Sequence, residues 1–424
     1  MELLEKKIRL NACETDQPVT EYIIHKIKQL ERDGHPPRTL LAVCPNSISV
    51  IKAALRAAKR NNAPIKFAAT LNQVDFDGGY TGLTQKDFVR LLKREAESIN
   101  YEGVTIVAID HGGPWLKDIQ ATEKWSLEDA MNGVKHSFEL AVCAGYDLIH
   151  VDPTIDITLL KVEQISIETV VERTIELIVH TENFRRSKNI PPISYEVGTE
   201  EVHGGLADDE TFDRFLKLLK IGLDKIGLSE VWPCFIVGKV GTDLHTTLFD
   251  PVVARKLTSK VEPYGSLIKG HYSDDVSNPE QYPLSGMGAA NVGPELTICE
   301  YSALIELEKL EAILFAQERI ALLSGIHDKL WKAVLKSNRW KKWLHNDETG
   351  LNFEQISTVR QEWLIMTCCR YIWQSPEVMV SRHLLYDNLR NNGIDAEEIV
   401  LSRIERNIDK YYVKFNLIGL NDYL

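Results

Sequence analysis

Two features of the sequence predict an α/β fold, a parallel (β/α)8 barrel followed by a helical region. Short apolar runs alternate eight times with helical segments between about residues 38 and 320, a rhythm typical of βα units. After residue 300 the strand pattern stops and the chain shows mostly helical spacing. The predicted parts are a helical lead-in (1–37), the barrel (38–320) and a helical C-terminal region (321–424).

The strands are apolar over most of their length, as expected where both faces of a parallel sheet are covered. They are predicted at residues 39–44, 65–71, 104–109, 147–151, 193–197, 233–237, 267–270 and 288–292. Apolar residues at helical spacing predict helices at 19–32, 50–61, 84–99, 126–144, 167–185, 208–226, 250–257 and 301–323, and over most of 326–345 and 355–410. An open, doubly wound sheet is the alternative, but no G-x-G-x-x-G follows a strand, which disfavours a dinucleotide-binding fold.

Composition and charge narrow the class of protein. The 424 residues are 44% hydrophobic and 26% charged, with a net charge of −12. Because phosphate backbones need basic surfaces, this charge argues against nucleic acid as a partner. There is no secretory h-region and no run of 18 apolar residues. The seven cysteines lack C-x-x-C spacing, so free thiols in a cytoplasmic protein without a membrane partner are expected.

The strand at 104–109 ends in Asp110-His111, and chemistry in such barrels sits at the C-terminal ends of the strands. A carboxylate can move a proton or orient an imidazole, and an imidazole can bind a metal or act as an acid or base. The other interpretation is an aspartate that caps the next turn beside a structural histidine. Neither residue alone distinguishes a catalytic or metal-binding role from this structural one.

Other strand ends add polar residues that the barrel would bring together. They are Asn72, Gln73, Asp152, Glu200, Glu201, Asp243, His245, His271, Ser273, Asp274, Asp275 and Gly293. Three histidines and several carboxylates suit a divalent metal with an open coordination position, of the kind Zn, Mn, Co or Ni occupies. His203 is a weaker candidate, and His150 is interpreted as a satisfied core histidine because strand alternation points it away from Asp152.

An anion site is predicted at the start of the helix after the eighth strand. Backbone N–H groups at Gly293 could hold a phosphate, as barrel loops at this position often do. Glu295 is an unfavourable charge there, and a plain turn with Pro294 at the first helical position is the alternative. Lys239 and Lys269 are other candidate partners for an anion.

The strand-end residues fall in motifs that resemble the tagatose-bisphosphate aldolase accessory-subunit family (GatZ/KbaZ). The motifs, in chain order, are Asn72-Gln73-Val74 with Gly78-Gly79-Tyr80-Thr81-Gly82, Asp110-His111-x-Gly113-Pro114, Ile149-His150-Val151-Asp152, Gly198-Thr199-Glu200, Gly204-Gly205, His245, His271-x-Ser273-Asp274 and Val292-Gly293-Pro294. The first is highly specific, whereas Asp-His and Gly-Pro alone are not. The resemblance is weak in the helical tail.

The resemblance implies a TIM barrel similar to class II aldolases, and substrates of the tagatose or tagatose-phosphate type. Members of the family look either like non-catalytic partners of an aldolase subunit or like metal-dependent epimerases at C4 of D-tagatose 6-phosphate, free D-tagatose or D-fructose. This chain departs from the pattern at Cys44-Pro45-Asn46-Ser47, at His203 and at Asp274-Asp275. Whether the substrate is phosphorylated is therefore open.

The first hypothesis is a ketohexose or ketohexose-phosphate 4-epimerase. Inverting C4 requires either C3–C4 cleavage with re-addition or removal and return of hydrogen, and both need acid/base groups near C4. The residue assignments are metal ligands (His111, Glu200, His245, His271), acid/bases (Asp110, Asp152, Asp274) and substrate-binding residues (Asn72, Gln73, Gly293).

The second hypothesis is a structural partner of a class II aldolase, with the Trp-rich tail as its docking surface. A homo-oligomer is also expected. A sugar-phosphate kinase is disfavoured, because no G-x-x-x-x-G-K-[ST] loop is present.

Overall fold

The computed structural model describes residues 4–160, 163–198, 209–243 and 248–424. Eight parallel strands close into a barrel in the order β1-β2-β3-β4-β5-β6-β7-β8, and β8 pairs with β1. Their bounds are Leu40–Val43, Ile65–Thr70, Thr105–Gly112, Leu148–Val151, Ser194–Gly198, Phe235–Val237, Leu267–Gly270 and Ala289–Val292. All eight predicted strands are confirmed, and the fold is a TIM barrel with a helical C-terminal part.

Helices surround the barrel and continue beyond it. In chain order, α1 to α15 are Leu4–Glu14, Val19–Arg32, Ile48–Arg60, Gln85–Ser98, Asp118–Thr122, Leu127–Ala144, Ile167–Ser187, Asp209–Lys225, Pro251–Val261, Gln281–Leu284, Pro294–Ala316, Ile326–Ser337, Thr358–Cys368, Pro376–Arg390 and Ala396–Lys414. Several barrel helices begin at a serine or threonine that accepts a backbone N–H, as at Ser47, Thr84 and Ser126. Such caps satisfy donors that a helix start otherwise leaves open.

The structure differs from the sequence-based prediction at several helices. α1, α5 and α10 were not predicted, and α9 extends to Val261 rather than ending at residue 257. α11 begins at Pro294 and ends at Ala316, whereas the prediction was 301–323. The earlier start follows from proline at the first helical position, where its missing N–H has no partner to lose. The helix stops before Glu318, whose φ of 56° is left-handed.

One hydrophobic core joins the barrel to the helices at both ends of the chain, since it runs from Ile8 to Leu424. α15 packs against α3 and α11. The division at residues 37 and 320 stays a prediction, because the parts on both sides share this core. Among the helices of the described residues, none is long and apolar enough to cross a membrane.

The C-terminal region also covers the C-terminal ends of the strands, which we call the mouth. Tyr371 packs edge-on against Tyr80, in the loop after β2, with ring centroids 5.1 Å apart. The Arg339 guanidinium lies 4.2 Å from the Tyr371 ring centroid. The tail therefore forms part of the wall around the mouth.

Candidate active site

The end of β3 presents two consecutive polar side chains to the mouth. In a regular strand, neighbouring side chains point to opposite faces. Here the register between β3 and β4 shifts between Ile109 and Gly112, and His111 has a left-handed φ of 50°. Such an irregularity re-aims a side chain, so Asp110 and His111 both contact groups at the mouth.

The glycines that follow are explained by close approach of β4. A Cβ added at Gly113 would lie 1.8 Å from the backbone oxygen of Asp152, and one at Gly112 would lie 2.4 Å from the Phe138 ring. Any larger residue would push β3 and β4 apart. The glycines therefore allow β3 and β4 to bring Asp152 beside His111.

Four side chains form what we call the acid–imidazole cluster: Asp110, His111, His150 and His271. One potential ligand atom from each lies within 4.8 Å of the others. The His111 ring centroid is 4.3 Å from that of His271 and 4.9 Å from that of His150. The Asp110, His150 and His271 residues are at most 3% exposed, whereas the His111 side chain is 17% exposed. His111 is therefore the member most accessible from the cleft.

Charges of alternating sign continue from the cluster into the barrel. Lys269 Nζ lies 3.0 Å from Asp110 Oδ1 and 2.5 Å from Glu196 Oε1. Lys66 Nζ lies 3.3 Å from Glu196 Oε2. Lys66, Glu196 and Lys269 are at most 1% exposed. Each buried charge thus has an opposite charge beside it, which is what keeps buried ions tolerable.

These neighbours keep the buried carboxylates ionised. Burial alone would raise the pKa of Asp110, but Lys269, His111 and His271 together hold that pKa well below its usual value. Burial also opposes ionisation of Glu196, yet Lys269 and Lys66 lower its pKa to about 2. Burial would lower the pKa of Lys269, and Asp110 and Glu196 raise it instead. The three groups are therefore charged at neutral pH.

His111 and His150 are each held in one orientation. Asp152 Oδ2 lies 2.6 Å from His111 Nδ1, and Thr154 Oγ1 donates to Asp152 Oδ1 at 2.5 Å. His150 Nδ1 accepts the backbone N–H of His111 at 3.1 Å. Burial lowers the pKa of His150, in agreement with a neutral ring that accepts at Nδ1.

Asp274 lies on the cleft wall and caps α11. Its Oδ1 accepts the backbone N–H groups of Gly293 at 2.9 Å and Glu295 at 2.8 Å. Burial and the nearby Glu295 raise the pKa of Asp274 to about 7. The Gly293 N–H predicted to hold a phosphate thus already donates to a carboxylate. Glu295 adds a second acid here, bonded to Tyr411 Oη at 2.5 Å.

Asn72 and Gln73 also line the cleft, but their amides are engaged within the loops. Asn72 Nδ2 donates to the Leu116 oxygen at 2.8 Å, and its Oδ1 accepts from the Asp118 N–H at 2.9 Å. Gln73 Oε1 accepts the Thr70 N–H at 2.7 Å. These bonds give both residues a part in shaping the β2 loop.

The glycine-rich segment after β2 folds back on Asn72-Gln73. The Tyr80 N–H donates to the Asn72 oxygen at 2.9 Å. A Cβ on Gly79, whose φ is 52°, would lie 2.4 Å from the Gln73 oxygen. The spacing between the two halves of this motif is therefore explained by backbone contact.

The cleft at the mouth has an empty volume of about 920 Å³, including the solvent at its opening. It is lined by Cys44, Asn46, Thr70, Asn72, Gln73, Tyr80, Asp110, His111, Leu116, His271, Tyr272, Asp274, Asn291, Gly293, Pro294, Arg339, Lys342, Trp343, Arg370 and Tyr371. Asn46 and Asn291 are each 3% exposed. Asn46 Nδ2 and Asn291 Oδ1 have no hydrogen-bond partner among the described residues, so the cleft offers one free donor and one free acceptor.

The structure brings most of the predicted site residues together. Asp110, His111 and His271 meet in the cluster, Asp152 contacts His111, and Asn72, Gln73, Asp274 and Gly293 line the cleft or border it. Glu200, His245 and His203 lie outside the described residues, so their predicted roles stay predictions.

The interpretation of His150 as a satisfied core histidine is incomplete. The ring is buried, but it lies in the cluster, with Nδ1 3.5 Å from Asp110 Oδ1 and 3.3 Å from Glu196 Oε1. The expectation that alternation points it away from Asp152 was wrong, because residues two apart along a strand share a face, and the side chains of His150 and Asp152 both contact His111. Its place in the Ile149-His150-Val151-Asp152 motif was the available signal.

Sequence reasoning missed Asn46, Lys66, Glu196, Asn291 and Arg370. Lys66, Glu196 and Asn291 sit inside predicted strands, where interior and exterior faces could not be told apart. Lys269, predicted only as a candidate partner for an anion, is paired with Asp110 and Glu196.

The residues at the mouth fit a divalent cation. Imidazole and carboxylate are the ligands that Zn and similar metals take in proteins. Burial opposes ionisation of Asp152, but His111 lowers its pKa below the usual value. Three carboxylates (Asp110, Asp152, Glu196) therefore face two ammonium groups (Lys66, Lys269), which leaves one excess negative charge.

Comparisons with known proteins agree with this architecture. The family model described as "D-tagatose-1,6-bisphosphate aldolase subunit GatZ/KbaZ-like" matches residues 24–412. A probable tagatose 6 phosphate kinase from Sinorhizobium meliloti 1021 is similar in structure, with a TM-score of 0.72 and 22% identity over 89% of this chain and 100% of that one. A fructose-bisphosphate aldolase from Campylobacter jejuni has a TM-score of 0.51 and 12% identity over 95% and 94%.

At these identities the two structures bear on the fold alone, whereas the family match covers most of the chain. The barrel motifs that resembled this family lie inside the matched range, from Asn72 to Pro294. The chain therefore belongs to the D-tagatose-1,6-bisphosphate aldolase subunit GatZ/KbaZ-like family.

Proposed function

We propose that this chain is a metal-dependent epimerase that inverts C4 of a ketohexose or ketohexose 6-phosphate of the D-tagatose/D-fructose type. The observation that carries the proposal is the acid–imidazole cluster, in which an ionised, buried carboxylate and the imidazoles of His111 and His271 line an open cleft, with His150 buried beside them. A subunit with a purely structural role has little physical need for such a group, because burying charged groups costs free energy even when they are paired.

In this proposal His111 and His271 hold the divalent cation, and Asp110 lies beside it as an acid/base. His111 Nδ1 is engaged by Asp152, which leaves Nε2 to ligate and resembles the carboxylate–histidine arrangement of many metal sites. His150 acts as a positioning residue, because its Nδ1 accepts the backbone N–H of His111. When bound, the cation would polarise the sugar carbonyl and hydroxyl oxygens and stabilise developing negative charge.

Two carboxyl groups are suited to the proton transfers. Asp110 is ionised, so it can accept a proton from a sugar hydroxyl. Asp274, with a pKa of about 7, can both take up and release a proton near neutral pH, which is the range where acid/base catalysis works best. Asp274 Oδ1 accepts two N–H groups, which fixes its position on the wall of the cleft.

The cleavage route uses these groups in sequence. A carboxylate takes the proton of the C4 hydroxyl, and the C3–C4 bond breaks to give an aldehyde and a three-carbon enediolate. The aldehyde turns its other face, the bond re-forms and the proton returns to the C4 oxygen. Direct exchange of hydrogen at C4 is the other route. Asn46 Nδ2 and Asn291 Oδ1 are the free groups proposed to bind sugar hydroxyls, with Asn72, Gln73 and Gly293 shaping the wall.

The test is an assay of the purified single chain by NMR, with D-tagatose 6-phosphate and with free D-tagatose. Zn, Mn, Co or Ni is added in parallel to chelated samples. Appearance of the matching fructose epimer only with metal supports the proposal. Absence of conversion of either sugar with all four metals would reject it.

The second candidate function is an accessory subunit of a class II D-tagatose-1,6-bisphosphate aldolase, as the family description suggests. The observation that favours it is a run of exposed apolar side chains after the middle of α11. Leu310, Ile313 and Phe315 are 40%, 53% and 44% exposed, and Leu322 is 63% exposed. Apolar surface of this kind marks protein contacts, with an aldolase chain or with a second copy in a homo-oligomer.

Mixing experiments separate the two functions. An accessory subunit copurifies with an aldolase chain and raises that chain's aldolase activity without turning over sugar alone. An epimerase acts without a partner. The seven cysteines form no disulfide, which fits the cytoplasmic location that we propose for either function.

A further inference from the structure

The cleft has two chemically different ends. The acid–imidazole cluster lies at one end, on β3, β4 and β7. The other end is formed by side chains of the C-terminal region, among them Arg339, Lys342 and Arg370. The tail thus supplies three cations to a cleft whose proposed reactive groups come from the barrel.

Among the residues that the structure describes, no carboxylate pairs with Arg370, although its side chain is buried. It is 5% exposed, and its hydrogen-bond partners are neutral groups, the Thr367 oxygen at 2.9 Å from Nη1 and the Tyr371 side chain. Its guanidinium stacks near the rings of Trp343 and Tyr371, at 4.9 Å and 4.8 Å from the centroids. A buried cation without a carboxylate is costly, so an anionic ligand is the simplest reason to keep one beside a cleft.

The neighbouring cations are only partly neutralised. Arg339 forms an ion pair with Asp118, and Lys342 Nζ lies 3.0 Å from the other oxygen of the same carboxylate. Arg339 Nε is buried without a hydrogen-bond partner among the described residues. Three cations therefore face one carboxylate, and the excess of two positive charges matches a phosphate monoester, which carries about −1.5 to −2 at neutral pH.

Both ends belong to one continuous cleft, so a single small ligand can contact both. Cys44 lines this cleft together with Asp110 and Arg370. The free amide nitrogen of Asn46 lies on the same wall, where Asn46 Oδ1 accepts from Tyr80 Oη at 3.1 Å.

We propose that Arg370, Arg339 and Lys342 form the anion subsite of this cleft, and that the substrate is a ketohexose phosphate whose phosphate binds the tail. The inference rests on the proposed function for the identity of the sugar and extends it by assigning the phosphorylated form. It also moves the anion from the start of α11, where Asp274 and Glu295 would repel it, to the tail. Guanidinium groups suit phosphate because they can donate two parallel hydrogen bonds.

Equilibrium binding tests the subsite without any turnover. Isothermal titration of the full chain with D-fructose 6-phosphate and with D-fructose compares the two ligands directly. We expect the phosphorylated sugar to bind at least tenfold more tightly. The Arg370→Gln variant should weaken binding of the phosphorylated sugar on the order of 10- to 100-fold, as expected for loss of charged hydrogen bonds, so the ratio between the two sugars falls.

Two further variants keep the test decisive if Arg370→Gln fails to fold. Lys342→Gln, at an exposed position, should weaken binding of D-fructose 6-phosphate severalfold. Lys341→Gln removes the same charge from the neighbouring residue, whose side chain lies outside the cleft near the Trp340 ring, and should leave the affinity unchanged. Equal effects of Lys341→Gln and Lys342→Gln would overturn the subsite.

Equal affinity for the two sugars would also overturn the proposal, as would tight binding of a keto-hexuronate, with a carboxylate at C6, in place of the phosphate ester. Turnover is measured separately. Preferential binding of the phosphate ester without conversion would reject the epimerase and support the anion subsite. Conversion without preferential binding would support the epimerase and reject the anion subsite.

Discussion

The two ends of the barrel differ in how completely their charged and polar groups are paired. At the N-terminal end of the strands, Arg9 Nη1 lies 2.6 Å from Asp147 Oδ1, and Asp147 Oδ2 accepts the Val107 N–H at 2.9 Å. Arg9 also donates to the Thr105 oxygen at 2.9 Å and to Glu5 at 3.0 Å. The Arg9–Asp147 pair is well bonded to its surroundings, as expected of groups that act on stability.

At the mouth, by contrast, several polar groups lack a partner among the described residues. Arg370 has no acidic partner, and Asn46 Nδ2 and Asn291 Oδ1 have no hydrogen-bond partner among the described residues. The acid–imidazole cluster and the excess of tail cations meet in the same cleft. Unpaired buried atoms occur at the other end as well, at Thr105 Oγ1 and Tyr146 Oη, but at the mouth they lie in one cleft with the cluster and the tail cations. Because an unpaired buried polar group costs stability, this combination indicates that the mouth is built to receive a polar ligand.

The largest expected effect comes from Asp110→Asn at the mouth. The substitution keeps the shape of the side chain but removes the charge that Lys269 and His271 contact. Turnover of the ketohexose substrate should fall by about 10²- to 10⁴-fold, the usual range for loss of an acid/base group. Steady-state kinetics measures this, and circular dichroism checks that the variant is folded.

The next prediction concerns the stabilisation of the folded protein by a bound divalent cation. With a divalent cation at about 100 times its dissociation constant, unfolding should cost about 2.7 kcal/mol more than after chelation. The variant His271→Ala should lose this difference. His180→Ala is the control, since His180 pairs with Glu139 away from the mouth and should retain the difference. Thermal denaturation with and without chelator gives the answer independently of activity, and an unchanged metal effect in His271→Ala would contradict the ligand assignment.

Asp147→Asn is the matched change at the other end. It leaves Arg9 without its closest charge partner and weakens the bond to the Val107 N–H, so the free energy of unfolding should fall by about 1–3 kcal/mol. Turnover by the folded enzyme should stay unchanged. Chemical denaturation and kinetics below the melting temperature test both parts; a loss of turnover comparable to that of Asp110→Asn would remove the contrast between the ends.

The remaining prediction concerns the pH dependence of stability at the N-terminal end. Burial raises the pKa of Glu21 to about 7, although a hydrogen bond from Ser194 opposes the shift. Since the folded-state pKa lies above the unfolded value, the contribution of Glu21 to stability is fully present below about pH 4.5. It is lost as the pH rises through 7.

Glu21→Gln should therefore flatten the fall in stability between pH 5 and 8, by at most about 1.4 kcal/mol per pH unit. Urea denaturation at a series of pH values measures this slope. The pH dependence of turnover should not change, because Glu21 is far from the cleft. An unaltered slope in the variant would mean that Glu21 is ionised in the folded protein at neutral pH.

The mouth was partly predictable because its residues follow the strands. Asp110, His111 and His271 each end an apolar run, and the barrel rhythm alone brings such ends together. His150, Lys66 and Glu196 were not recognised, since they lie within strands and only the closed barrel shows that they face inward. Alternation tells which residues share a face, but it does not tell which face is the interior.

The tail end of the cleft could not be predicted from the sequence. Arg370 is separated from Cys44 by more than 300 residues, and no local pattern indicates that both line the same cleft. The prediction of a phosphate site at Gly293 did not take into account that Asp274, 19 residues earlier in the chain, accepts a hydrogen bond from the same N–H. Both outcomes depend on long-range packing, which periodicity and turn signals do not report.

The most direct test of the account follows conversion of D-tagatose 6-phosphate by NMR with the purified single chain, with and without metal. Wild type, Asp110→Asn and Asp147→Asn are compared under conditions where all three are folded. The account predicts metal-dependent epimerisation by wild type and Asp147→Asn, and at least a hundredfold loss in Asp110→Asn. Conversion by none of them with any of the four metals, or full activity in Asp110→Asn, would contradict it.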